Sequence, residues 1–198
     1  MLLKAAQARF RYCLAIDREI KQTPAGQLVR LQDKLNHQMN GSVGMFNFAL
    51  PLVLSAFLMM LSFALMQFSL WQAVTQLLGL PRTMTIVLLI VGSLVCGVLY
   101  VMPIFLMAKG RMFGLSLHVL LAHVTLLGAV AYLLYALASW FSSGLSAWGN
   151  LICALLALAL IGLSFLVIRA ERFYSSLLFA MFCRIIRKSQ TDSPAQRI

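Results

Sequence analysis

Between Val43 and Ile168 the only charged side chains are Arg82, Lys109 and Arg111, and none is acidic. An α-helix needs about 20 apolar residues to cross a bilayer core of about 30 Å, and ions inside such a span are costly. This region is long enough for several crossings, and its breaks divide it into four: residues 43–70, 83–108, 113–139 and 151–168. A hydrophobic share of 62% against 11% charged residues excludes an ordinary soluble domain, whose charged share is nearer a quarter. The runs do not alternate between apolar and polar residues, so helices are expected rather than barrel strands. The fold class is therefore an all-α integral membrane protein, a four-helix transmembrane bundle with amphipathic helices at both ends.

The net charge of +11 sits in particular places. Seven of the sixteen Lys and Arg residues precede residue 40, six lie between Arg169 and Arg197, and Lys109 and Arg111 share one short loop. The other two connections hold only Arg82. Basic loops stay on the cytoplasmic side, so both termini are expected there, with the positive charge drawn to anionic lipid headgroups. No aromatic-and-basic module accompanies these charges, and nucleic acid is not expected as a partner. Cys13, Cys96, Cys153 and Cys183 form no CxxC pair and no zinc spacing.

Residues 1–40 lack the apolar core and cleavage site of a signal peptide and read as two amphipathic helices. In the first, from Leu2 to Lys21, Leu3, Ala6, Phe10, Leu14 and Asp17 repeat at three or four residues. Thr23 before Pro24 reads as the cap of a second helix to Met39, with Leu28, Leu31 and Leu35 on one side. These faces, Phe10 and Leu14 on one helix and the three leucines on the other, are expected to dock a partner protein or to lie on the inner leaflet. "NGSVG" at 40–44 breaks the second helix. Pro51 and Pro103 fall near the ends of the first and second spans, where a bend is tolerated. Residues 169–198 form a basic amphipathic helix, at the membrane surface or continuing the fourth span, and a polar tail.

The third span holds two histidines. His118 and His123 are five residues apart, turned by about 140° on a helix, so they cannot chelate one metal together. The other spans contain no histidine, which leaves a haem sandwiched between helices without its second ligand. No metal or cofactor is expected. His118 does share a face with Ala122, Thr125, Ala129, Tyr132, Ala136 and Ser139, every member small, hydroxylated or polar. Helices in lipid associate by close approach over small residues and by hydrogen bonds across the contact, so this stripe reads as a packing seam with left-handed crossing. Ser55, Ser62 and Ser69 repeat every seven residues in the first span; Ser93 and Gly97 form a small pair in the second, with Gly92 and Cys96 displaced by one; Asn150, Ala154, Ala157 and Ser164 lie near one side of the fourth. His123 points away from the seam and is the candidate for contact with another subunit.

No span carries an acidic residue for ion coupling, and no Ser/His/Asp set, HExxH or phosphate loop is present, so no catalytic residue is expected and the chain is read as a non-enzyme. The expected function is a non-catalytic subunit that scaffolds a larger membrane complex of the secretion, conjugation or export type. Alternatives are a small immunity or exclusion protein that blocks a toxin or transfer channel, and a homo-oligomeric pore whose lumen the polar seams would line. Compactness and composition suggest the bacterial inner membrane.

Overall fold

The computed structural model describes residues 2–24, 28–38, 45–143 and 148–191, and every regular element among them is an α-helix. In chain order these are α1 (Leu2–Gln22), α2 (Leu28–Gln38), α3 (Met45–Leu77), α4 (Thr83–Ala108), α5 (Met112–Ser143), α6 (Trp148–Arg169) and α7 (Glu171–Thr191). Four of them, α3 to α6, are long and apolar enough to cross a membrane, which establishes the all-α, four-span bundle. The expected break at 40–44, part of the connection around 144–147 and the tail from 192 onward lie outside the described residues.

Two helix ends explain where spans stop. α3 runs to Leu77, beyond the sequence-based limit at 70, because Gln72 and Gln76 do not interrupt a backbone ladder that only "GLP" breaks. There Gly79 N–H donates to Gln76 O at 3.2 Å and Leu80 N–H to Thr75 O at 2.9 Å, a Schellman cap with Gly79 at φ 63°. The same cap ends α4: Gly110 N–H donates to Met107 O at 2.8 Å and Arg111 N–H to Leu106 O at 2.9 Å, with Gly110 at φ 70°. Pro51 and Pro103 are buried inside α3 and α4. At the other end of the chain α6 stops at Arg169, the backbone bends at Ala170, and α7 starts afresh, so the last segment does not continue the fourth span.

The chain forms two compact units. The first comprises residues 1–53, 103–116 and 168–198. Here α7 packs on α1 and α2 and buries Phe173, Leu177, Leu178, Met181 and Ile185. α1 buries Cys13, Ile16, Asp17 and Ile20, an i, i+3, i+4, i+7 set, while Phe10 and Leu14 are only half-buried; the sequence-based stripe was centred one position away, and side chains before Ala8 lie outside the described residues. Leu28, Leu31 and Leu35 are buried within the chain, on the helix that packs against α7. The apolar face expected to meet a partner is thus closed by the protein's own C-terminal helix. Thr23 also departs from its expected role: its hydroxyl donates to Glu19 O at 2.6 Å and closes α1, while residues 25–27, where a second cap would act, lie outside the described residues.

The second unit comprises residues 54–102 and 117–167. Its buried side chains include many small or hydroxylated ones, Ser55, Ala56 and Ser62 from α3, Ala122, Thr125, Ala129 and Ala136 from α5, and Ala154, Ala157 and Ser164 from α6, beside the larger Met59, Met66, Tyr100 and Ile161. α4 is the least buried of the four spanning helices and exposes Ile86, Val87, Ile90, Leu94 and Val98. Of the Ser93 and Gly97 pair only Ser93 reaches another helix, its hydroxyl donating to Gln67 Oε1 of α3 at 2.9 Å. Ser93 is exposed, and a methyl group added at Gly97 would meet nothing within 4 Å. Close approach occurs one position earlier, at Gly92, where an added Cβ would lie 2.6 Å from the Trp71 ring.

Candidate functional site

The polar groups of the second unit form hydrogen bonds that link α3 to α5 and α6, and α4 to α5. Ser55 Oγ and His118 Nε2 are 2.9 Å apart, both side chains fully buried. Ser164 Oγ donates to Ser55 O at 2.9 Å, and Ser62 Oγ donates to Ala157 O at 2.8 Å, tying α6 to α3. Thr125 Oγ1 donates to Leu121 O at 2.8 Å; its single proton thus used, it accepts from Tyr100 OH at 2.6 Å, which attaches α4 to α5. Lower in strength is Ser69 Oγ to Tyr132 OH at 3.3 Å.

Of the seven residues of the α5 stripe, His118, Ala122, Thr125, Ala129, Tyr132 and Ala136 are buried and Ser139 is half-buried. Hydrophobic burial does not drive helices together in lipid, so narrow contacts over alanine and serine and the hydrogen bonds they permit must supply the cohesion. A hydroxyl beside an imidazole is also the geometry of an activated nucleophile. Here the pair is sealed between α3 and α5, Ser55 also has its carbonyl occupied by Ser164, and among the described residues no three His, Cys, Asp or Glu side chains cluster to hold a metal. The contact links α3 to α5.

His123 stands apart. It is exposed on α5, four residues from the centre of the span Met112–Ser142, a displacement of about 6 Å along the axis. Its Nδ1 lies 2.7 Å from Val119 O, and because a carbonyl only accepts, Nδ1 carries the proton. The Phe165 ring meets it edge-on, with centroids 5.3 Å apart. With Nδ1 held on Val119 O, Nε2 is the ring nitrogen left for a further hydrogen bond, as in ligand and contact histidines whose other nitrogen is held by a backbone carbonyl.

In the first unit the chemistry is ionic. Asp17, buried, is bonded by Arg184 Nη1 at 2.5 Å and by Lys21 Nζ at 2.8 Å. Arg184 also donates to Gly110 O at 3.0 Å, so one guanidinium joins α1, α7 and the α4–α5 turn. Lys188 Nζ donates to Ile20 O and Thr23 O, each at 3.0 Å, placing a cation on the carbonyl end of α1. Burial pushes the Cys13 thiol up to about 12. Burial likewise raises the Cys183 thiol, with Arg187 acting in the opposite sense. The sequence held one signal for this network, an acid on the apolar line of α1, but Arg184 lies 167 residues away. No family model matches the chain, and no curated protein or solved structure is significantly similar to it.

Proposed function

We propose that the chain is a non-catalytic membrane subunit that packs, through the exposed face of α5, against a transmembrane helix of another protein in a larger assembly. The observation that carries this reading is His123, an imidazole near the middle of a spanning helix, exposed on its surface and fixed through Nδ1 to Val119 O. Leaving such a group in hydrocarbon is costly, and intramembrane ionisable residues ordinarily face protein or water. Leu120, Val124 and Leu127 surround it with an apolar surface that a second helix can cover. A docking role for the amphipathic ends is less well supported, since Leu28, Leu31 and Leu35 are spent on internal packing.

The pore alternative draws no support from the polar seams, because Ser55, Ser62, Thr125 and Ser164 are buried between helices of one chain and bonded there. We place the protein in a bacterial inner membrane with both termini cytoplasmic. Supporting this, the two terminal segments and the basic Lys109–Arg111 turn belong to one compact unit, as an even number of crossings requires.

A photo-crosslinking residue at Leu127, in cells, tests the subunit reading. A discrete adduct with another membrane protein is expected, weakened by His123→Leu at unchanged protein level, while the same probe at Ile90 of α4 gives none. Equal, diffuse labelling from both positions would count against a specific partner.

A further inference from the structure

A pocket in the first unit, where the ends of α5 and α6 meet α1 and α7, is lined by Arg9, Arg169 and Tyr174 and also by Phe10, Leu115 and Phe173. Arg169 is the last residue of a spanning helix, so the pocket stands at the level where hydrocarbon gives way to headgroups. Arg169 is exposed, and Arg9 is held only loosely by protein: Glu171 is 3.7 Å away with its side chain 80% exposed, a pairing that contributes little. Beneath the Arg9 guanidinium lies the Tyr174 ring, 5.8 Å to its centroid. Burial, before the influence of Cys13 and Tyr12, pushes the Tyr174 phenol up to about 12, so it keeps its proton and can donate a hydrogen bond at neutral pH. Leu115 and Phe173 are buried and make the floor apolar.

A ligand that suits this pocket brings an anion for two guanidiniums and hydrocarbon for the apolar floor at the same end of the molecule. Inorganic phosphate meets only the first need and a neutral lipid only the second. We propose that the pocket binds one anionic phospholipid, its headgroup phosphate held by Arg9 and Arg169 and its first methylenes against Phe10, Leu115 and Phe173. Charge complementarity selects this occupant, since basic pockets at the ends of spanning helices take acidic headgroups. Such a site stands whether or not His123 meets a partner helix.

The test is native mass spectrometry of the full chain released from nanodiscs of equal phosphatidylglycerol and phosphatidylcholine. The wild type should retain one phosphatidylglycerol in preference to phosphatidylcholine; in Arg9→Gln/Arg169→Gln the retained fraction should fall about tenfold, and in Arg30→Gln, away from the pocket, it should not change. No preference for phosphatidylglycerol, or equal loss in Arg30→Gln, would overturn the site as an effect of overall charge. Displacement of the retained lipid by millimolar inorganic phosphate would overturn the lipid as its ligand. Should the double variant fail to fold, a photoactivatable phosphatidylglycerol on the wild type decides: adducts on peptides containing Phe10 or Tyr174 support the site, and adducts confined to α4 refute it.

Discussion

Asp17 and Arg184 meet at 2.5 Å across 167 residues of sequence, and the same guanidinium reaches Gly110 O at 3.0 Å. The turn that accepts this bond requires a glycine on two counts. Gly110 takes the left-handed conformation that ends α4, and an added Cβ would lie 2.7 Å from Ala180 O. Breaking a buried pair by removing one partner leaves an uncompensated charge, typically costing 3–5 kcal/mol, whereas replacing both is far milder. Arg184 is 24% exposed and Asp17 keeps Lys21, so a smaller value applies. Arg184→Met should destabilise by about 2 kcal/mol, and Asp17→Leu/Arg184→Met should recover most of the loss. Denaturant unfolding in mild detergent, run as a double-mutant cycle, checks it; additive losses would mean that the pair is not coupled.

A second expectation separates the two faces of α5. Ala129 is fully buried and Leu134 is 62% exposed, though both lie in one apolar helix. Ala129→Leu should force the helices apart and cost about 1 to 3 kcal/mol, as overpacking does in tight cores. Leu134→Phe should cost almost nothing. Folded yield and thermal unfolding of the two variants provide the comparison, and equal losses would contradict the assignment of faces.

A third concerns Ser55 and His118. Hydrogen bonds between helices in a membrane couple by about 0.6 kcal/mol on average, because the unfolded chain in lipid also finds partners. The Ser55→Ala/His118→Leu cycle should therefore give a coupling of about 0.5 to 1 kcal/mol, below the cost of Ala129→Leu. A coupling several times larger would indicate that the pair does more than hold α3 against α5.

The seam and the spans were legible because both depend on local information. Span number follows from bilayer thickness acting on runs of apolar residues, and the His118 to Ser139 stripe follows from helical periodicity within α5. What periodicity cannot carry is the identity of a covering element. Leu28, Leu31 and Leu35 make the same pattern whether they meet lipid, another protein or α7, and the choice of α7 rests on contacts between chain ends. The Arg184 link to Asp17 and Gly110 was illegible for the same reason. At Ser93 and Gly97 the motif was half used: Ser93 bonds Gln67 of α3, but Gly97 meets no neighbour, and the close approach falls where the large Trp71 ring finds room, over Gly92.

The last expectation concerns Cys13, whose thiol burial pushes up to about 12 from an ordinary 9.0. The thiolate is the reactive form, so at pH 8 Cys13 in the folded protein should resist alkylation. Cys183, half-buried and beside Arg187, should react first. A group whose folded value is raised favours the folded state while it stays protonated, so this contribution is complete below about pH 9 and is lost as pH climbs toward 12. Iodoacetamide labelling of single-cysteine variants, at pH 8 and pH 10 and with or without denaturant, measures both effects. Cys13 labelling should be slow at pH 8 and should rise sharply only on unfolding. Rapid labelling of Cys13 at pH 8 in a protein still folded would show that the face of α1 closed by α7 opens readily, and would weaken the account of how that helix is packed.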